Sequence, residues 1–148
     1  MTGRGTRGLL DTSTVILLGA IANPSDLPHE PLLSAVSLAE LSVGPLVTDD
    51  EDERAARQAH LQQAEADFDP IPFDAAAARA LGGVAASLRR AGRKSTARSY
   101  DAMIAATAIA NGLPIYTCNP SDFAAIDGLT VVDVPHPGIE ARRQGPPS

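Results

Sequence analysis

The stretch GLLDTSTVILLGAIA, residues 8–22, carries the reading of the fold. Gly8 to Asp11 is a short apolar run closed by an acid, which reads as a buried strand. Thr12 or Ser13 then offers a hydroxyl cap for a helix running to Ala22. The same alternation continues outward. Asn23 to Asp26 is a turn, Leu32 to Val36 a second strand, and Ser37 opens a helix through Leu41 that stops near Gly44 and Pro45. An acidic run, Asp49 to Glu53, leads into a polar helix over Glu51–Ala66. Asp67 to Phe73, with two prolines, reads as a short edge strand. Asp74 caps an alanine-rich helix over Ala75–Ala91 that Gly92 terminates. Ser99 caps a helix to Asn111, closed by Gly112 and Pro114. Pro114 to Thr117 is a strand, Asn119-Pro120 starts a helical turn, and Leu129 to Val134 is the last strand.

Short, continuously apolar strands with helices between them predict an α/β domain, a short central parallel sheet flanked by helices on both faces. There is no repeat at solenoid spacing. One domain over residues 7–134 accounts for the pattern, with residues 1–6 and 135–148 expected as flexible termini. A chain of 148 residues buries about 70% of its unfolded surface without needing staples.

Composition narrows the function classes. A single cysteine, Cys118, excludes an internal disulfide. Aromatic residues are 3% of the chain and tryptophan is absent, against surfaces that stack bases on rings. The apolar stretch Val15 to Ala22 is far short of the ~20 residues of a membrane span. Arg4 and Arg7 ahead of it faintly suggest a signal peptide, but Asp11 to Thr14 interrupt the pattern, so a cytoplasmic protein is expected. Gly3, Gly5 and Gly8 form a GxGxxG with no strand before it, so it reads as a leader and not a phosphate loop. The net charge is −6, so any contact with nucleic acid must be local, through a basic patch or bound metal ions.

The acids fall where ligands bind in open α/β sheets, beyond the carboxyl ends of the strands. Asp11 ends the first strand and Glu40 follows the second. Asn119 and Asp122 follow the strand ending at Thr117, and Asp101 sits in the first turn of the helix from Ser99. Each has a structural explanation. Ser37-Leu-Ala-Glu40 has the form of a capping box, Asp101 complements a helix dipole, Asn119 to Asp122 has the order of a capped turn, and Asp11 suits a turn. Together they suggest chemistry. Two carboxylates ~4 Å apart repel by about 1 kcal/mol in water and about 4 kcal/mol near a protein surface, against roughly 1 kcal/mol returned by a cap. A divalent cation removes that repulsion, and oxygen donors suit Mg²⁺ or Mn²⁺.

Leu9-Leu-Asp-Thr-Ser13, Ser37-Leu-Ala-Glu-Leu41, Tyr100-Asp-Ala-Met-Ile-Ala-Ala-Thr-Ala-Ile109 and Thr117-Cys-Asn-Pro-Ser-Asp-Phe123 together resemble the motifs of PIN-domain ribonucleases, and most closely the VapC toxins of bacterial toxin–antitoxin pairs. The resemblance runs from about Gly8 to Val134. It implies a metal-dependent endoribonuclease that hydrolyses RNA phosphodiesters with Mg²⁺ or Mn²⁺. It also implies a cognate antitoxin that blocks it, and a homodimer. By position it makes Asp11 and Asp101 the principal metal ligands, Glu40 a ligand directly or through water, and Asp122 the last acid of the catalytic set. Ser13 and Thr117 become hydroxyls that orient water or carboxylates. The family often has an acid at the place of Asn119, and the amide here weakens a second metal site. Such hydrolysis needs no histidine, and His29, His60 and His136 all read as solvated surface residues. Cys118 reads as a packed side chain.

Arg89, Arg90, Arg93, Lys94 and Arg98 concentrate positive charge just before Asp101. They suit a phosphate backbone and equally a helix C-terminus followed by a solvated loop; Arg93 and Lys94 are the candidate RNA contacts. The run Asp49 to Glu53 reads as a solvated helix start. Leu38 and Leu41 suit either an antitoxin contact or the core. Two further classes stay open. One is a catalytically silent PIN-like module that binds RNA or protein. The other is a receiver or phosphatase α/β domain, for which the acid two residues past Asp11 and the late lysine are missing. No phosphate loop, zinc cluster or Ser/His/Asp motif is present.

Overall fold

The computed structural model describes residues 6–92 and 99–138. Strands β1 (Arg7–Leu10), β2 (Glu30–Leu33), β3 (Ile115–Thr117) and β4 (Val131–Asp133) form one sheet in the order β2-β1-β3-β4. Every pairing is parallel, with Leu9 opposite both Leu32 and Ile115, and Ile115 opposite Val131. Five α-helices flank it among the described residues: α1 (Thr12–Leu17), α2 (Ala35–Val43), α3 (Glu51–Asp67), α4 (Ala75–Arg90) and α5 (Ser99–Ala110). This is the α/β architecture expected.

Consecutive strand residues point to opposite faces, and the two cores follow that rule. Leu32 packs with Leu9, Ile115, Phe123 and the helix residues Val84, Leu88 and Ile104 of α4 and α5. Its neighbour Leu33 packs with Leu41 and Ala64 of α2 and α3. Helices therefore cover both faces. Leu9, Ile104, Ile115 and Phe123 are completely buried, which stabilises the fold by about 1.5–3 kcal/mol per side chain. α5 is buried nearly all round, with small residues Ala102, Ala105, Ala106 and Ala108 toward its neighbours. At Gly8 a Cβ would lie 2.4 Å from the Tyr116 ring, so only glycine lets that ring lie across β1.

Several boundaries differ from the expectation, each for a local reason. Asp11, not Thr12 or Ser13, caps α1 by accepting the Thr14 amide at 3.3 Å. α1 ends at Leu17 and tightens into a 3₁₀ turn, Leu18–Ala20, instead of reaching Ala22; Gly19 is a weak helix former. The second strand is Glu30–Leu33, not Leu32–Val36. Ser34 turns the chain, its Oγ accepting the Ser37 amide at 3.0 Å, and α2 begins at Ala35. Pro31 is tolerated because β2 lies at the sheet edge. The expected edge strand at Asp67–Phe73 contracts to one bridge, with Ile71 bonded to Ala35 and Leu33 at 2.8 and 2.9 Å. Pro70 and Pro72 lack the N–H groups that would extend it. Ser99 is the first residue of α5, not its cap. The remaining elements agree within one or two residues. Thr6, expected in a flexible terminus, pairs with the second strand by accepting the Glu30 amide at 2.9 Å. Residues 1–5 and 139–148 lie outside the described residues. Among the described residues no helix is long and apolar enough to cross a membrane.

Candidate active site

β1 delivers Asp11 to the carboxyl edge of the sheet, where it is only 3% exposed. Its Oδ1 accepts the Thr14 hydroxyl and amide, and its Oδ2 accepts the Ser13 hydroxyl at 3.0 Å and the Thr117 hydroxyl at 3.1 Å. These partners are all neutral. They fix the carboxylate's orientation but leave its charge without a cation among the described residues.

Thr117 comes from the end of β3, and the loop that follows is sewn to the same acid. The Asn119 amide nitrogen donates to Ser13 Oγ at 3.0 Å, the Asn119 backbone N–H to Thr117 Oγ1 at 2.9 Å, and the Cys118 N–H to Thr14 Oγ1 at 3.0 Å. Asn119 precedes the 3₁₀ turn Pro120–Asp122, but its side chain makes no capping bond. The capping explanation fails there. The amide serves the Asp11 web instead.

Glu40 also loses its structural explanation. With Ser34 as the cap, Ser37 lies inside α2 and Glu40 stands past the first turn. No capping box forms. The half-buried Glu40 accepts the Thr12 hydroxyl at 2.5 Å. Burial pushes its carboxyl above the ordinary 4.5, the Thr12 hydrogen bond opposes that, and the charge of Asp11 adds to the rise. Thr12, the residue after Asp11, bonds to Glu40 and so ties the second acid to the edge where Asp11 lies. Asp101, in the first turn of α5, and Asp122, in the 3₁₀ turn after β3, are both half-buried on elements that meet this edge. No three His, Cys, Asp or Glu side chains among the described residues stand close enough to hold a metal ion, so the carboxylates do not form a finished cage. The donors gathered around Asp11 and Glu40 are hard oxygens, the set that Mg²⁺ or Mn²⁺ prefers, and the unpaired buried charge of Asp11 fits a cation. Arg93 and Lys94 lie outside the described residues.

Several readings of the sequence need correction. His29 is exposed, but His136 is half-buried and His60 lines a cavity of about 280 Å³ with Thr12, Glu40 and Arg57. His60 is therefore part of the site's wall, placed there because α3 packs against α2. Leu38 and Leu41 belong to the second core, so the open choice between core and contact resolves to core. An exposed apolar residue beside the site is Ile16, 41% exposed. It joins the small cavity to a groove of about 470 Å³ between α1 and α3, lined also by Val15, Leu18, Ala64 and Phe68. Cys118 is buried as expected. Burial above all raises its thiol from 9.0, Thr14 opposes the rise, and Asp11 and Asp133 add to it. Thr12, Thr14 and Asp133 escaped the sequence reading. Asp133 ends β4 opposite Thr117, and the rule that found Asp11, an acid closing an apolar run, would have found it too.

Comparison with known proteins agrees with the fold. The PIN domain family matches residues 9–129. Ribonuclease VapC5 of Mycobacterium tuberculosis is 37% identical over 129 residues, covering 86% of this chain and 93% of the relative. Ribonuclease VapC4 of the same species is 34% identical over 130 residues, covering 86% and 97%. Among solved structures, VapBC-5 from Mycobacterium tuberculosis, a member of the VapBC family of toxin–antitoxin systems, superposes with a TM-score of 0.73 at 35% identity, covering 87% of this chain and 99% of the other. FitAcB from Neisseria gonorrhoeae gives a TM-score of 0.63 at 25% identity, covering 86% and 98%.

Proposed function

Because the chain belongs to the PIN domain family, we propose that it is the ribonuclease toxin of a toxin–antitoxin pair, a metal-dependent endoribonuclease acting through one domain over residues 7–134. The observation that carries this reading is Asp11, a buried carboxylate held by neutral donors alone among the described residues, with a second acid, Glu40, bonded to the adjacent Thr12. A packed fold gains nothing from that pair, whereas a divalent cation held by these acids would offset their repulsion.

A bound Mg²⁺ or Mn²⁺ would lower the pKa of a water and offset charge on the phosphate oxygens. Asp11 and Asp101 would be its principal ligands, with Glu40 and Asp122 completing the acidic set. The chain's own part is orientation. Ser13, Thr14 and Thr117 hold Asp11 in one rotamer, so ligand geometry is set before RNA arrives. Asn119 acts behind Ser13 and donates a hydrogen bond where an acid would have offered a second charge. This supports one metal rather than two. Arg93 and Lys94, which precede α5 in the sequence, are assigned the contacts to the RNA backbone.

The cognate antitoxin is the second partner, as the VapBC toxin–antitoxin relatives suggest, and a second copy of this chain is a third. The α1–α3 groove suits an antitoxin segment. Its apolar wall would take an amphipathic chain, and the opening past Ile16 leads to Glu40, where a basic side chain complements the acids. The test is incubation of the purified protein with bacterial RNA. Discrete cuts with Mg²⁺ or Mn²⁺, lost with EDTA and on adding antitoxin, are expected. RNA binding with no cleavage under any metal would favour the silent module.

A further inference from the structure

We propose that Thr12 is the positioning residue that aims Glu40 at the metal, the last hydroxyl in a directed chain from Ser34 through Ser37. The inference rests on the reading of Asp11 and Glu40 as ligands of one cation.

Thr12 Oγ1 lies 2.5 Å from Glu40 Oε1 and 2.9 Å from Ser37 Oγ, and Ser37 Oγ lies 3.4 Å from Ser34 Oγ. Each hydroxyl carries one proton, and an ionised carboxylate only accepts. Thr12 must therefore donate to Glu40. Ser37 then donates to Thr12, and Ser34 to Ser37. Ser34 and Ser37 are both 0% exposed, so water does not compete for these bonds. The chain is anchored at its far end, because Ser34 Oγ also accepts the Ser37 amide at 3.0 Å as the cap of α2.

The arrangement solves a specific problem. Glu40 reaches the site from α2 and is repelled by Asp11. A long side chain in that position is drawn toward solvent. Thr12, adjacent to Asp11 in the chain, holds Oε1 and fixes the orientation of the carboxylate, whose other oxygen would be available to a cation. Removing partners that orient metal ligands weakens metal binding roughly 10- to 100-fold.

The alternative is a plain hydroxyl link between α1 and α2. Titration of the full chain with Mn²⁺, followed by the electron paramagnetic resonance of the free ion, separates the two, with melting of the metal-free protein measured beside it. Thr12→Val is expected to weaken Mn²⁺ binding roughly 10- to 100-fold, Thr12→Ser to restore it to near the wild-type value, and Ser37→Ala to fall between. Ser37→Ala and Thr12→Ser carry the test if Thr12→Val does not fold. A Thr12→Val protein that melts lower but binds Mn²⁺ like wild type overturns the proposal, as does a serine variant no better than valine. Wild-type protein that binds Mn²⁺ no better than Asp11→Asn overturns the metal reading itself, and this inference with it.

Discussion

Asp11 and Glu40 are both acids near the same sheet edge, but their surroundings differ. Asp11 sits in a web of donors from α1 and β3, whereas Glu40 has the Thr12 hydroxyl at one oxygen. Burial outweighs that bond and lifts the Glu40 carboxyl above 4.5. The folded state therefore favours protonated Glu40. Its stabilising contribution is complete below the unfolded value near 4.5, and it is lost as pH rises through the higher folded value. At neutral pH the ionised Glu40 works against folding of the metal-free protein. Glu40→Gln keeps the shape and the acceptor oxygen for Thr12 while removing the charge. It is expected to raise Tm in EDTA at pH 7.5, with the gain shrinking as pH falls toward 4.5 and gone below it, and to abolish RNA cleavage. A lower Tm for the glutamine variant at pH 7.5 would contradict the account of this site.

At the scale of elements, the site depends on where helices and strands begin. α5 ends at Ala110, and Gly112, with φ of 64°, reverses the chain. The Gly112 amide bonds to Ile109 O at 3.1 Å and the Leu113 amide to Ala108 O at 2.9 Å, the paired bonds of a Schellman cap. A Cβ at Gly112 meets nothing within 4 Å, so Gly112→Ala carries only backbone strain. A loss of about 1–2 kcal/mol is expected in urea unfolding. Cleavage by the folded variant stays intact, because the turn feeds the amino end of β3, opposite the acids. This turn was legible in the sequence because glycine followed by proline has few other uses. So was the junction at Asp11, where an apolar run meets an acid and hydroxyls. The start of α2 was not. Leu32, Leu33, Ala35 and Val36 form one apolar run, and such a run does not distinguish a strand end from a helix start. Ser34 decides it through a single hydrogen bond. That misplacement made Glu40 look like half of a capping box. The Asn119–Ser13 bond joins residues 106 apart in sequence, and His60 reaches the site by the packing of α3. Both are products of tertiary structure, which local pattern does not carry.

At the scale of the whole molecule, a chain of net charge −6 must hold a polyanion. In the basic stretch, Arg90 is engaged with Asp127 at 2.7 Å, an exposed pair of small energetic weight. Arg93 and Lys94 remain the candidate phosphate contacts. Replacing both with Gln is expected to weaken RNA binding at low salt and to reduce the slope of log K against log salt by roughly 2. An unchanged slope rules the stretch out. The antitoxin groove makes an independent prediction. Ile16→Ala strips the side chain from its apolar wall without adding charge beside Glu40. The variant should keep its RNA cleavage while inhibition by the cognate antitoxin weakens at least about tenfold, as expected for an interface anchor. Equal inhibition of variant and wild type places the antitoxin elsewhere.

The central claim is that the acids around Asp11 form a metal-dependent site that cuts RNA. It is tested most directly by exposing total bacterial RNA to wild type, Asp11→Asn and Asp101→Asn in parallel, with Mg²⁺ or Mn²⁺ and with EDTA. Discrete cuts by wild type that require metal, and that fall at least about 100-fold in both variants, are predicted, since even partners of metal ligands cost 10- to 100-fold. Cleavage that survives in Asp11→Asn, or that proceeds equally well in EDTA, would contradict it.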